Sequence, residues 1–172
     1  LTGADTILGP EMKSTGEAMG HGPNFGTAYL KAMKGGNKKL PTKGTVFLSI
    51  SNKLKLEFGN IAQELIDLGF NFIATKGTAA HLRKKGIKSK VIWRISDKKQ
   101  PDILSIMRRG NVDLIINLPT GRRAATDGAQ MRRLAVELGI PFITTLTGAK
   151  AAIYSLKEGE KDYLEPLKKI KY

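Results

Sequence analysis

The stretch TKGT, residues 75–78, places two hydroxyl groups, an ammonium group and a glycine next to one another. An apolar run, residues 70–74, precedes this stretch, and helix-forming residues follow it from Ala79. The pattern predicts a turn that leads from a buried strand into a helix. Hydroxyl groups, a cation and the free N–H groups of a helix amino terminus all favour a bound anion. The stretch therefore predicts a phosphate or carboxylate site.

Four residues in or near such turns admit both a structural and a ligand-binding interpretation. Thr78 is expected to cap the following helix, and a ligand contact is compatible with that role. Thr75 has less structural need for a hydroxyl, so we interpret it as a ligand residue. The amide of Asn117 ends an apolar run and needs partners, either in the following turn or in a ligand. Trp93 is expected to pack in the core, and the floor of a pocket is the alternative.

The elements that must position these residues alternate along the chain. Apolar, strand-like runs occupy residues 45–50, 70–75, 90–95, 112–118 and 141–146. Helical patterns separate or follow them at residues 57–68, 78–85, 101–109, 124–138 and 148–157. Repeated strand–helix units with continuous apolar strands indicate a largely parallel sheet covered on both faces. The predicted fold class is therefore α/β, with three layers in the order α/β/α.

Ligands of such open sheets bind beyond the carboxyl ends of the strands. Each of the five apolar runs is followed by polar residues, and most of these segments contain a cation or a hydroxyl group. Gly77, Gly121 and Gly148 would let a ligand approach the backbone. The composition of these strand ends predicts one pocket for a phosphate or carboxylate group.

The first 43 residues differ in character from the rest. They are rich in Gly, Pro and polar residues and contain one helical pattern, FGTAYLKAM. We expect residues 1–43 to be a helical or irregular extension with a linker, and residues 44–172 to form the main domain. Because the chain begins at Leu1 and has no signal peptide or membrane-length apolar run, we expect a cytoplasmic fragment of a longer protein, without a membrane partner.

The charge of the chain raises the question of a nucleic-acid partner. The 172 residues include 29 Lys and Arg against 15 Asp and Glu, which gives a net charge of +14. The cations are scattered in short groups, and aromatic residues make up only 6%, so stacking rings do not alternate with cations. The sequence also lacks a P-loop, a nucleophile elbow and a zinc-protease motif. We expect a binding module with no nucleic-acid partner, no catalytic residues and no metal site.

Several longer stretches resemble one protein family. LGPEMKSTGEAMG (residues 8–20) and FGTAYLKAM resemble the end of the second synthetase half of carbamoyl-phosphate synthase large subunits. FIATKGTAAHL and DLIINLPTGRRAATDGAQMRRLAVELGIPFITT resemble the carboxyl-terminal regulatory domain of the same family. The resemblance implies a methylglyoxal-synthase-like fold with a five-stranded parallel sheet in the order 3-2-1-4-5.

In this family the crevice binds an allosteric effector, either UMP or IMP in bacterial-type enzymes or N-acetylglutamate in the urea-cycle type. Arg94 stands where the nucleotide-binding enzymes have a lysine, and Pro119 replaces a threonine. The resemblance does not decide between the two effector classes. The effector-binding residues that it implies, together with their neighbours in the same turns, are Lys55, Thr75, Lys76, Gly77, Thr78, Trp93, Arg94, Asn117 and Thr120.

The resemblance also implies properties of a parent enzyme, a glutamine-hydrolysing, ATP-dependent ligase. The parent would use ATP with Mg2+ or Mn2+ and K+, and its carbamoyl phosphate would feed pyrimidine and arginine synthesis. Its partners would be the remainder of the large subunit and a glutaminase small subunit, and homo-oligomer formation stays open. A methylglyoxal synthase is the enzymatic alternative. It is disfavoured because Gln100 occupies the position of the catalytic carboxylate, although Asp97 and Asp102 lie nearby.

Overall fold

The computed structural model of the chain describes residues 40–119 and 122–158. The strands are β1 (Gly44–Ile50), β2 (Phe70–Thr75), β3 (Lys90–Ile92), β4 (Leu114–Leu118) and β5 (Phe142–Ile143). The α-helices are α1 (Lys55–Asp67), α2 (Lys76–Lys84), α3 (Ile103–Arg108), α4 (Arg122–Glu137) and α5 (Leu146–Glu158). Two single turns of 3-10 helix, Asn52–Leu54 and Ile95–Asp97, follow β1 and β3.

The five strands form one parallel sheet in the order β3-β2-β1-β4-β5. Strand β1 is central, with Gly44 opposite Phe70 of β2 and Val46 opposite Leu114 of β4. Because all the strands are parallel, each crossover carries the chain back to the end of the sheet at which the strands begin. The carboxyl ends of all five strands therefore lie together at the opposite end. The α/β class, the parallel sheet and its order are as expected from the sequence and the resemblance.

Helices cover both faces of the sheet, which confirms the three-layer architecture. On one face, α1, α2 and α5 bury apolar side chains such as Phe58, Leu82 and Ile153 against the strands. On the other face, α3 and α4 contribute a second cluster that includes Met107 and Met131. Because successive side chains of a strand point to opposite faces, the continuous apolar runs of the sequence are needed to fill both clusters.

The boundaries of several elements differ from the sequence prediction for local reasons. Strand β3 ends at Ile92 because the N–H of Trp93 donates to the carbonyl of Pro101, 3.1 Å away, and leaves the sheet. Trp93 is 38% exposed, so the prediction of core packing is wrong. Strand β5 is short because the chain turns into α5, where Thr145 Oγ1 accepts a hydrogen bond from the N–H of Gly148 at 3.0 Å.

Some predictions fall on residues that the structure does not describe. They include the extension over residues 1–39, its helical pattern and Thr120. The division at residue 43 stays a prediction. Among the described helices, none combines the length and the apolar character that crossing a bilayer requires.

Candidate anion-binding crevice

A crevice of about 360 Å3 opens at the carboxyl ends of the central strands. Its walls come from the ends of β1, β2 and β4, from the segment after β3, and from α3 and α4. Six of the predicted site residues line it: Lys55, Thr75, Gly77, Thr78, Arg94 and Asn117. The fold therefore brings together residues that are up to 62 positions apart, from 55 to 117.

The amino terminus of α2 faces this crevice. Thr75 is both the last residue of β2 and the N-cap of the helix, and its side chain makes no capping hydrogen bond. The first turn contains no acidic residue, and a Cβ added to Gly77 would lie 3.4 Å from Lys55 Nζ. The helix dipole, the first N–H groups and the Lys55 ammonium thus converge on one small volume, which suits an anion.

Thr78 has a structural role that differs from the predicted helix cap. Its Oγ1 accepts a hydrogen bond from the N–H of Ile50 at 3.0 Å, and Thr75 Oγ1 donates to it at 3.2 Å. Both threonines are buried, with 2% of Thr78 and 7% of Thr75 exposed. Thr78 therefore joins α2 to the end of β1, and Thr75 Oγ1 keeps its lone pairs for a further donor.

Two cations meet at the crevice. Lys55 Nζ donates to Asn52 Oδ1 at 2.7 Å, which holds the ammonium group near the helix end. Burial, and then the positive charge of Arg94, lower the pKa of Lys55 below its usual value of 10.5. An anion between the two side chains would relieve both effects, because it would compensate the desolvated charge and the repulsion between the cations.

Asn117 and one wall of the crevice are closely packed. The amide of Asn117 is 3% exposed, and a Cβ added to Gly128 of α4 would lie only 2.9 Å from its Nδ2 atom. Glycine at position 128 thus lets α4 approach the end of β4. This packing presents the amide at the crevice, where it can donate to or accept from a ligand.

The motif-based prediction of the site did not include a second group of polar residues in the crevice. Asp127 Oδ2 accepts hydrogen bonds from Ser96 Oγ at 2.9 Å and from the N–H of Ser96 at 3.4 Å. Asp97 Oδ2 accepts from the N–H of Arg94 at 3.1 Å. These carboxylates come from the segment after β3 and from α4, and both line the crevice. Asp127 lies well inside α4, and only the placement of this helix against the sheet shows that Asp127 faces the crevice.

Ser51 adds an unfilled hydrogen-bonding position to the crevice wall. Its Oγ atom is buried and has no hydrogen-bond partner among the described residues. A buried hydroxyl group without a partner costs on the order of 1–3 kcal/mol, so a ligand or a water molecule that bonded to it would be favoured. Ser51 belongs to the polar segment after β1, but no motif distinguished it from its neighbours.

The remaining predicted residues have other positions. Lys76 and Trp93 are exposed and lie outside the crevice lining that the described residues form. The Lys99 ammonium lies over the indole of Trp93, 4.6 Å from the ring centroid, beside Arg94 at the rim. Thr120 lies outside the described residues. The assignment of these three residues to an effector stays a prediction.

A substitution at Gly77 tests whether the anion binds at the start of α2. In Gly77→Ala the new methyl group would occupy the volume next to Lys55 Nζ. We expect anion affinity to fall at least about tenfold, because a ligand displaced by an ångström loses hydrogen bonds worth 1.5–3 kcal/mol. Stability to urea should stay the same or rise by up to about 1 kcal/mol, since alanine favours the helix. Unchanged affinity would place the anion elsewhere.

Comparison with known proteins agrees with this fold. A family model described as MGS-like domain matches residues 57–144. The carbamoyl phosphate synthase large chain, C-terminal section, of Methanocaldococcus jannaschii is 47% identical over 157 residues, and that of Methanopyrus kandleri is 45% identical over 156 residues. The carbamoyl phosphate synthase large chain of Archaeoglobus fulgidus is 48% identical over 158 residues.

The alignments cover 91%, 90% and 91% of this chain. They cover only 25%, 29% and 15% of the respective relatives, so the chain spans less than a third of the length of each of them. The matched region of the family model runs from α1 to the end of β5 and contains most of the crevice. The chain belongs to the MGS-like domain family, and over 90% or more of its length it is similar to the carboxyl-terminal section of carbamoyl phosphate synthase large chains.

Proposed function

We propose that the chain is the allosteric effector domain of a glutamine-hydrolysing carbamoyl phosphate synthase large chain and that it binds a nucleoside monophosphate. The supporting observation is the convergence of Lys55, Arg94 and the amino terminus of α2 on one crevice. A phosphate group presents several strong acceptors and up to two negative charges, which fit two cations and several N–H donors. The crevice volume of about 360 Å3 lies within the range typical of small-molecule sites.

The carboxylates of the crevice favour a nucleotide over N-acetylglutamate. Asp97 and Asp127 both line the crevice, so it offers negative charge as well as positive charge. A ribose or a base carries hydroxyl or N–H donors that can bond to a carboxylate. N-acetylglutamate has two carboxylates of its own, and the one not held by the cations would be repelled by these aspartates. N-acetylglutamate is therefore the second candidate.

The domain would carry no catalytic step of its own. The support for this is Gln100, which stands where the resemblance to methylglyoxal synthases places the catalytic carboxylate, because a carboxamide cannot act as the general base. The parent large chain would supply catalysis with ATP, Mg2+ or Mn2+ and K+. It would work with a glutaminase small subunit in the cytoplasm, for pyrimidine and arginine synthesis, and effector binding would change its activity through a coupling free energy of about 1–3 kcal/mol.

Isothermal titration calorimetry of the 172-residue chain with UMP, IMP and N-acetylglutamate tests this proposal. We expect saturable binding of a nucleoside monophosphate, with inorganic phosphate competing and N-acetylglutamate binding more weakly. Selective binding of N-acetylglutamate would show that this second candidate, and not a nucleotide, is the ligand. Formation of methylglyoxal from dihydroxyacetone phosphate above the buffer rate would contradict the absence of catalysis. Binding of none of the three ligands by folded protein would contradict the proposal as a whole.

The affinity for UMP should depend on pH in two steps. On the acid side, affinity should rise as the phosphate monoester gains its second charge near pH 6. On the alkaline side, affinity should fall as pH rises through the pKa of Lys55 in the free protein, which burial and Arg94 hold below 10.5. The sign follows because the bound anion favours the protonated amine and raises its pKa. Titrations between pH 5 and 10.5 would measure both limbs. In Lys55→Arg, the alkaline fall in affinity should move to a higher pH. A fall at the same pH as in the wild type would show that another group causes it.

A further inference from the structure

A second groove lies between α3 and α4, on the outer side of the layer that these helices form. It has a volume of about 320 Å3, and Leu104 and Leu134 contribute half-buried apolar surface to it. Arg108 and Arg133 line it with two exposed guanidinium groups, and Glu137 is its one acidic lining residue. The groove thus combines an apolar surface with a net positive charge.

Apolar surface continues from the groove along α4. Val136 is 67% exposed and follows Arg133 by one helical turn, and Leu138 just beyond it is 46% exposed. Ala129, one of the groove residues, lies two turns before Val136 and is also exposed. Residues seven apart lie on the same side of a helix, so Ala129 and Val136 share one side of α4, whereas Leu138 follows the end of the helix. Exposed apolar side chains beside an apolar groove, interspersed with the exposed Arg132 and Arg133, are typical of a surface that contacts another protein segment.

The helices of the groove also form walls of the effector crevice. On α3, Ile103 lines the crevice and its neighbour Leu104 lines the groove. On α4, Asp127 and Met131 line the crevice, whereas Arg133 lines the groove. The two sites therefore share rigid elements, so a displacement of α4 by a ligand in the crevice would change the shape of the groove.

We propose that this α3/α4 groove docks an acidic segment with apolar anchors, belonging to the remainder of the large chain, and that it transmits effector occupancy to that part. The identity of the partner rests on the proposed function. Charge complementarity selects an acidic occupant, because Arg108 and Arg133 border the groove and Arg109 and Arg132 are exposed beside them. A second copy of this chain fits less well, since it would bring the same arginines and a net charge of +14 towards each other.

The size of the relatives supports a partner within the same protein. The relatives are several times longer than this chain, which covers 25% and 29% of two of them and 15% of a third. A segment joined to the domain acts at an effective concentration in the millimolar range, so even a small interface stays occupied. Helices with acidic and apolar faces dock in grooves of this type through residues one turn apart.

Cysteine protection tests the proposal directly, because the chain contains no Cys. Gln130→Cys reports on the groove and Val136→Cys on the exposed surface beside it. Lys84→Cys, at an exposed position of α2 on the opposite face of the sheet, is the matched control. Maleimide labelling rates are measured by peptide mass spectrometry in the 172-residue chain and in the full-length large chain. We expect labelling at positions 130 and 136 to be about tenfold slower in the large chain, and an unchanged rate at the control.

Three outcomes would overturn the proposal or a part of it. Equal rates in both proteins would show that the large chain does not cover the groove. Rates that fall with concentration in the isolated chain would assign the groove to a second copy. Protection that survives Arg108→Glu with Arg133→Glu would contradict the acidic partner. Protection in a protein that binds no effector would support the docking surface and contradict the proposed function, so the two failures are distinguishable.

Discussion

Replacing Lys55 by glutamine is expected to weaken UMP binding by about ten- to a hundredfold, because hydrogen bonds to charged groups contribute about 1.5–3 kcal/mol. The ammonium group lies at the amino terminus of α2, next to Gly77, and its pKa is already lowered by burial and by Arg94. A phosphate group would therefore gain a partly desolvated cation, which binds more strongly than an exposed one. Calorimetric titration of the variant at neutral pH and low salt measures the loss.

Lys53→Gln is the matched control for this prediction. Lys53 lies two residues earlier, in the 3-10 turn Asn52–Leu54, is exposed and does not line the crevice. Lys53→Gln removes the same charge from the protein as Lys55→Gln, so any general electrostatic effect appears in both variants. We expect Lys53→Gln to change the affinity less than about threefold at physiological salt, where exposed charges are screened. Equal losses in the two variants would show that net charge, and not the crevice, holds the ligand.

The second large effect is expected in stability. Thr78→Val keeps the shape of the side chain but removes the oxygen that accepts the N–H of Ile50 at 3.0 Å. Thr78 is 2% exposed, so water cannot easily replace this oxygen. A buried N–H group without a partner costs about 1–3 kcal/mol, which should appear as an equal loss in the free energy of unfolding by urea.

Thr78→Ser separates the role of the hydroxyl from that of the methyl group. Serine keeps the acceptor for Ile50, so its cost should stay below about 1.5 kcal/mol, the upper range for removing one buried methyl group. Thr75→Val removes the hydroxyl group that donates to Thr78 Oγ1. Because this hydroxyl can turn to donate to a bound anion instead, the substitution should lower anion affinity more than stability. If Thr78→Val unfolds at the same urea concentration as the wild type, the hydrogen bond between Ile50 and Thr78 contributes nothing to stability.

The architecture was largely predictable from the sequence. Apolar runs such as residues 70–75 are continuous, and only strands covered on both faces require this pattern. The ends of elements were less predictable, because long-range hydrogen bonds decide them. Strand β3 ends early through the bond between Trp93 and Pro101, and no local pattern around residue 93 indicates that partner.

The half of the crevice around Lys55 and the start of α2 was also predictable, and the other half was not. Lys55, Thr75 and Gly77 lie at or shortly after strand ends, so the rule that ligands bind there points to their segments. Ser96 and Asp127 meet only because the segment after β3 lies against α4. The partner of Thr78 was missed for a similar reason. A threonine at a helix start suggests a cap, whereas its neighbour here is the backbone of a strand 28 positions earlier.

The central position of β1 has a consequence for synthesis on the ribosome. Its neighbours in the sheet are β2 and β4, and its first residues are also held by Asp113, whose carboxylate accepts the N–H of Thr45, 68 positions earlier, at 2.7 Å. At about 5–20 residues per second, several seconds separate the emergence of β2 from that of β4. During this interval one edge of β1 is unpaired, and the crevice, which also needs Met131, does not yet exist. A nucleotide could therefore stabilise the new chain only after α4 has docked, by mass action on the completed fold.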